Sequence, residues 1–170
     1  IRRQRQMCIR DSFGEVDAWV SNAGGGILHS ALEATEEDML WQYRLNCLSS
    51  LWAWQALIPG WLERGRGHIV DVCTLGGKAG FAYGGGYAAA KGALSCLGDA
   101  VRQELAGKGV HVTTVYPGIT ATEFSSVRPD RTGGRLESVG KRLRERRGLL
   151  ARTVLAPQSA EHVARCIVRV

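Results

Sequence analysis

Apolar residues along the chain alternate between short runs and helical stripes. Val16 to Val20 is a short apolar run stopped by Ser21-Asn22-Ala23-Gly24-Gly25-Gly26, the pattern of a buried strand that ends in a loop. Thr35-Glu36-Glu37-Asp38 is a capping-box signature for a helix start. Apolar positions then recur at helical spacing from Met39 to Trp61, predicting two helices or one bent helix that Pro59-Gly60 kinks or ends. His68 to Cys73 predicts a second strand, followed by a glycine-rich stretch from Gly76 to Gly86. Ala90, Leu94, Leu97, Val101 and Leu105 form one stripe of a helix expected over residues 87–106, with Gly107 and Gly109 as its stop. Val110 to Val115 predicts a third strand, ended by Pro117-Gly118, and a last helix is expected from Ala160 to Val170.

Short apolar strands alternating with helices imply a parallel sheet covered on both faces, the three-layer α/β/α arrangement. Ligands in such sheets bind beyond the carboxyl ends of the strands. Those ends carry Asn22-Ala23-Gly24, Cys73-Thr74 and Pro117-Gly118, which should meet along one edge. The chain opens at Ile1 without a complete element and stops inside a helix, so the expectation is one partial domain over residues 1–170, truncated at both ends.

Composition narrows the classes. The 22 glycines show no three-residue period, which excludes collagen, and no apolar run is long enough to span a membrane. Five separated cysteines with no C-x-x-C pair argue against a disulfide framework and a zinc site, and suit a reducing, cytoplasmic compartment. The net charge of +6 is local: residues 128–152 hold nine basic and three acidic side chains, and the remainder is neutral. That segment reads as a solvated lid, with recognition of an anionic substrate or phosphate as the sharper alternative. No aromatic residue interleaves with its arginines, so nucleic acid is not expected as a partner.

Tyr87 and Lys91 stand four apart and share a helix face. An ammonium beside a phenol lowers the phenol pKa from about 10 and makes it a usable proton donor and acceptor. By itself the pair also fits a solvated helix face. The four histidines are scattered singly and read as surface or core residues, so no metal site is predicted. The five tryptophans read first as core or subunit-interface packing.

Further spacings add weight to the pair. Thr74 ends the strand thirteen residues before Tyr87, and Asn46 is a lone polar group twenty-eight residues before that. Asn22-Ala23-Gly24 closes one strand and Pro117-Gly118-Ile119-Thr120-Ala121-Thr122 another. In these motifs, over about residues 13–170, the chain resembles the short-chain dehydrogenase/reductase family in its simple single-domain branch. The resemblance implies a partial Rossmann-type doubly wound sheet and an NAD(P)-dependent oxidoreductase that interconverts a carbonyl and a secondary alcohol. It implies Tyr87 as general acid/base, Lys91 as its partner and holder of the nicotinamide ribose, Thr74 in the place of a serine that bonds the substrate carbonyl, and Asn46 as a proton-relay residue. Asn22, Ala23 and Gly24 would lie beside the adenine side of NAD or NADP, and Pro117, Gly118, Ile119 and Thr122 would cradle the nicotinamide. Residues 123–152 fall where the family places its substrate lid. A homodimer or homotetramer is implied, with Trp52, Trp54 and the 87–106 helix as contact candidates.

The chain departs from the family's pattern at three places. Thr74 replaces serine, Ser21 replaces the first asparagine of the adenine-side loop, and the glycine-rich turn between the first strand and its helix is absent. Gly24 to Gly26 and Gly84 to Gly86 do not stand at that turn. The residue that selects NAD or NADP is missing with it. A catalytically silent relative, a fragment or pseudoenzyme kept as a binding scaffold, is therefore the competing expectation.

Overall fold

The computed structural model describes residues 15–139, 141 and 157–170. Its centre is a three-stranded parallel sheet of β1 (Ala18–Ser21), β2 (Gly67–Val72) and β3 (Val110–Val115), in that spatial order. The register aligns Trp19 with Ile69 and Ile69 with Val112. Helices α1 (Glu36–Tyr43) and α2 (Ser49–Arg64) connect β1 to β2, and α3 (Gly85–Glu104) connects β2 to β3. Further on, β4 (Thr120–Ala121) pairs in parallel with β5 (Gln158–Ser159), between them lies α4 (Phe124–Val127), and α5 (Ala160–Val168) ends the chain.

The Rossmann-like α/β arrangement expected from the sequence is present. Right-handed crossovers between successive neighbouring strands put both connections on the same side of the sheet. Accordingly Trp54, Leu57 and Trp61 of α2 and Leu94 of α3 share one core with Ile69 and Val112. The helices described cover that face, while Val20, which points to the other, is 44% exposed. Leu94 is fully buried, and truncating such a residue to alanine costs roughly 2–5 kcal/mol.

Thr35 caps α1 as expected, its hydroxyl accepting from the Asp38 amide at 3.2 Å. The Asp38 carboxylate does not complete a capping box; it pairs with Arg131 at 2.5 Å. Between α1 and α2 the helix widens into a π turn, Arg44–Leu48. The Asn46 side chain causes this locally: its Nδ2 donates to the carbonyl of Gln42 at 2.8 Å, occupying an acceptor that the helical ladder would otherwise use.

Two expectations about this region are corrected. Pro59 does not end the helix, which continues to Arg64. Buried Leu57 and Trp61 flank the proline and anchor that turn, and the Trp61 indole donates to Val16 O at 2.6 Å. Gly65, at φ +67°, supplies the left-handed cap that stops it. Trp54 is 1% exposed and belongs to the core, so it is no interface candidate; Trp52 is exposed. Of the lid expected over residues 123–152, residues 140 and 142–152 lie outside the described residues. Among the described residues no helix is long and apolar enough to cross a membrane.

Candidate active site

The three strand ends converge at one edge of the sheet. After β1 the chain runs through exposed Asn22, Ala23 and Gly24, then turns inward at Gly25 and Gly26. Asn46, 1% exposed, clamps this loop: Nδ2 donates to Gly25 O at 2.7 Å and Oδ1 accepts from Gly25 N at 3.1 Å. A Cβ at Gly24 would stand 2.9 Å from Asn46 Oδ1 and 3.3 Å from Lys91 Nζ, so this position holds glycine because two side chains reach it. Lys91 is buried, and its ammonium donates to Val72 O, the last carbonyl of β2, at 2.7 Å. Burial pushes its pKa below the ordinary lysine value, against the pull of Cys73, Asp71 and Cys47.

Tyr87 stands one helical turn before Lys91, its ring against the backbone of Gly26, where a Cβ would touch it at 3.3 Å. On another side the ring meets Phe124, centroids 5.5 Å apart. The two side chains thus lie along one loop. Their expected electrostatic coupling is corrected, however: burial, reinforced by Cys73, pushes the Tyr87 hydroxyl up to about 12, and it is Arg128, not Lys91, that pulls it down. Lys91 has turned its ammonium to the strand end, and its charge is itself disfavoured there.

Thr74, in extended backbone after β2, is half-buried, and its hydroxyl oxygen accepts from Gly76 N at 3.2 Å. The hydroxyl hydrogen remains for another acceptor. Leu75 N donates to Pro117 O at 3.2 Å and ties this loop to Pro117-Gly118. Gly118 faces open space, with only a Leu75 methyl near a would-be Cβ, at 3.8 Å. Ile119 and Thr122 are exposed at the rim, the Thr122 hydroxyl accepting from Phe124 N at 3.3 Å. Gly84 and Gly86 have packing reasons: side chains there would strike Phe81, and Gln42 with Met39, respectively.

Several residues here were not singled out from the sequence. Gln42, fully buried, accepts from Ile27 N at 2.9 Å and lies 3.4 Å from the His29 ring. Its position one turn before Asn46 on the same helix face was a legible signal. Tyr83 adopts φ +63°, a left-handed conformation uncommon outside glycine, beside the glycines that open α3. Asp71 on β2 is fully buried, close to Gly98 and Thr114 in the layer between sheet and α3. Among the described residues no group of three or more His, Cys, Asp or Glu could hold a metal.

A dinucleotide-type α/β fold with a tyrosine–lysine helix at the strand ends defines the class. Residues 5–132 match the short chain dehydrogenase family, and the chain belongs to it. It is 35% identical over 109 residues to the ketoacyl reductase HetN of Nostoc sp., covering 64% of this chain and 38% of that protein. It is 35% identical over 116 residues to the NADP-dependent 3-hydroxy acid dehydrogenase YdfG of Salmonella typhi, covering 67% of this chain and 47% of that one. The chain spans less than half the length of these curated relatives. Among solved structures, a short-chain dehydrogenase from Streptomyces avermitilis matches with a TM-score of 0.70 at 28% identity, covering 82% of this chain and 53% of that one. The structure of an ElxO variant with NADPH bound matches with a TM-score of 0.67 at 26% identity, covering 71% of this chain and 49% of that one.

Proposed function

We propose that this chain carries the proton-transfer half of a nicotinamide-dependent oxidoreductase that interconverts a carbonyl and a secondary alcohol. The observation that carries the reading is the gathering of Tyr87, Lys91 and Asn46 around one glycine loop at the carboxyl ends of the strands. The names of the relatives, a ketoacyl reductase and an NADP-dependent 3-hydroxy acid dehydrogenase, support the same reaction class.

The residues fit the nicotinamide end of a dinucleotide. Lys91 offers an ammonium for ribose hydroxyls and the Pro117-Gly118-Ile119 turn with Thr122 offers an open floor, while the exposed Asn22-Ala23-Gly24 edge offers backbone groups to the adenine side. NAD and NADP suit these groups equally. When bound, the cofactor supplies or accepts the hydride. Tyr87, held protonated at neutral pH by burial, donates its proton to the carbonyl oxygen as negative charge develops there. Thr74 donates a hydrogen bond to the same oxygen, using the hydrogen its contact with Gly76 leaves free. The proton that Tyr87 gives up is replaced from solvent by way of the Lys91 ammonium, and Asn46 holds the Gly24–Gly25 loop beside that path. Phe124 keeps water from one flank of the phenol. A homo-oligomer acting on a small-molecule substrate completes the proposal. A cytoplasmic site of action is part of the proposal, on the wide spacing of the five cysteines in the sequence.

The test is oxidation of NADH or NADPH by the purified protein on addition of carbonyl compounds. Turnover that is kept or raised in Thr74→Ser, and cut about 10–100-fold in Thr74→Val, supports the role of the hydroxyl. A folded protein that turns over no carbonyl with either cofactor would select the silent-scaffold reading instead.

A further inference from the structure

Arg128, Arg131 and Arg135 follow α4, and their surroundings differ. Arg131 pairs with Asp38 at 2.5 Å. Arg135 pairs with Glu33 and lies over the Tyr83 ring, 5.7 Å from its centroid. Arg128 has no such partner: its Nε is buried and makes no hydrogen bond, and no carboxylate of the described residues lies within ion-pair distance. Asp130, whose carboxylate feels the Arg128 charge, accepts from Thr132 N at 2.7 Å.

The backbone holds Arg128 in place from both sides. Before it, α4 lays Phe124 on the Tyr87 ring. After it, Leu28 N donates to Pro129 O at 2.9 Å and Arg131 N donates to Leu28 O at 2.8 Å, a parallel bridge between this strap and the loop that carries Gly26. Gly26 itself touches Tyr87. Arg128 therefore sits between two anchors that both lead to the candidate proton donor, and its charge is felt at the Tyr87 hydroxyl.

A buried guanidinium N–H left unpaired costs free energy and calls for an explanation. Its chemistry is specific, because a guanidinium fork matches the paired oxygens of a carboxylate or phosphate. We propose that Arg128 is the substrate-anchoring residue of this site and selects carbonyl substrates bearing an anionic oxygen group, carboxylate or phosphate, close to the reacting carbon. This rests on the oxidoreductase reading for its substrate and adds the charge of that substrate. Arg131 and Arg135 hold the strap; Arg128 meets the ligand.

The experiment compares matched probes in wild type, Arg128→Gln and Arg128→Lys, with the cofactor present. Acetoacetate is set against its neutral methyl ester, and dihydroxyacetone phosphate against dihydroxyacetone. The expected result is a fall in kcat/KM of about 10–100-fold for the anionic member of a pair in Arg128→Gln, with the neutral member changed less than about threefold. Arg128→Lys should recover part of the loss. Which pair responds distinguishes carboxylate from phosphate. Equal loss on charged and neutral probes, or no loss on either anion, overturns the proposal. Calorimetric binding of acetoacetate and of dihydroxyacetone phosphate is measured in parallel. If no variant turns over any probe, the oxidoreductase reading fails, while Arg128-dependent binding of an anion still decides this inference.

Discussion

Asn46 grips Gly25 through both backbone groups, donating to its carbonyl at 2.7 Å and accepting from its amide at 3.1 Å. This one side chain fixes the loop after β1 and also widens the helix it sits on, by taking the Gln42 carbonyl. Its four-atom amide has both a donor and an acceptor committed, so no other residue type of that size replaces it. Asn46→Asp keeps the acceptor, loses two donated bonds and buries a charge. The expected loss of stability is about 2–5 kcal/mol, measured by urea unfolding, with Asn46→Ala nearer the lower figure.

Asp71 lies fully buried on β2 with neither carboxyl oxygen hydrogen-bonded among the described residues, and burial pushes its pKa up to about 6, opposed by the nearby Ser21 and Trp54 side chains and by the charges of Lys91 and Arg102. A carboxyl whose folded pKa exceeds its unfolded value contributes stability that is complete below about pH 4 and lost as pH rises through about 6. Asp71→Asn removes that dependence. At pH 8 the variant should be more stable than wild type by roughly 1–3 kcal/mol, with the advantage shrinking toward pH 4. Thermal unfolding at several pH values reads this directly; an advantage that grows on acidification contradicts it.

Pro59 sits inside α2 without ending it. It lacks the amide that would bond to the carbonyl four residues earlier, and its side chain is exposed. Pro59→Ala restores that bond without opening a cavity. The expected gain in stability is about 1–3 kcal/mol by chemical denaturation.

The proton on Tyr87 sets a pH dependence whose sign differs by direction. Burial keeps the phenol protonated, so reduction of a carbonyl should be nearly flat from about pH 6 to 9 as far as this group is concerned. Oxidation of the alcohol requires the phenolate and should accelerate with rising pH over the same range. Steady-state rates in both directions, measured on one preparation, separate the two; parallel profiles would place the titrating group elsewhere.

The sequence made the strands and the third helix legible because their signals are local. Val110 to Val115 is a strand as expected, and Gly107 and Gly109 both adopt the left-handed φ that stops the helix before it. Spacing and resemblance name Tyr87, Lys91, Asn46 and Thr74; Asn46 and Lys91 both reach Gly24, and Tyr87 packs on Gly26 two residues along. The electrostatics were not legible. A four-residue spacing puts Tyr87 and Lys91 on one face, yet the direction of the Lys91 ammonium depends on Val72 O, a backbone acceptor on another element. Nor could composition separate Arg128 from its neighbours, since what distinguishes it is the carboxylates that Arg131 and Arg135 meet from distant parts of the chain. Pro59 shows the limit of local propensity, because buried Trp61 and Leu57 outweigh one missing bond.

The most direct test of the account is Tyr87→Phe. No hydrogen bond within the described residues depends on the hydroxyl, so the variant should unfold within about 0.5 kcal/mol of wild type and bind cofactor with unchanged affinity. Its kcat for carbonyl reduction should fall by at least about a thousandfold, the loss expected when a general acid is removed. A folded, cofactor-binding Tyr87→Phe protein that keeps the wild-type kcat would contradict the claim that this oxygen delivers the proton.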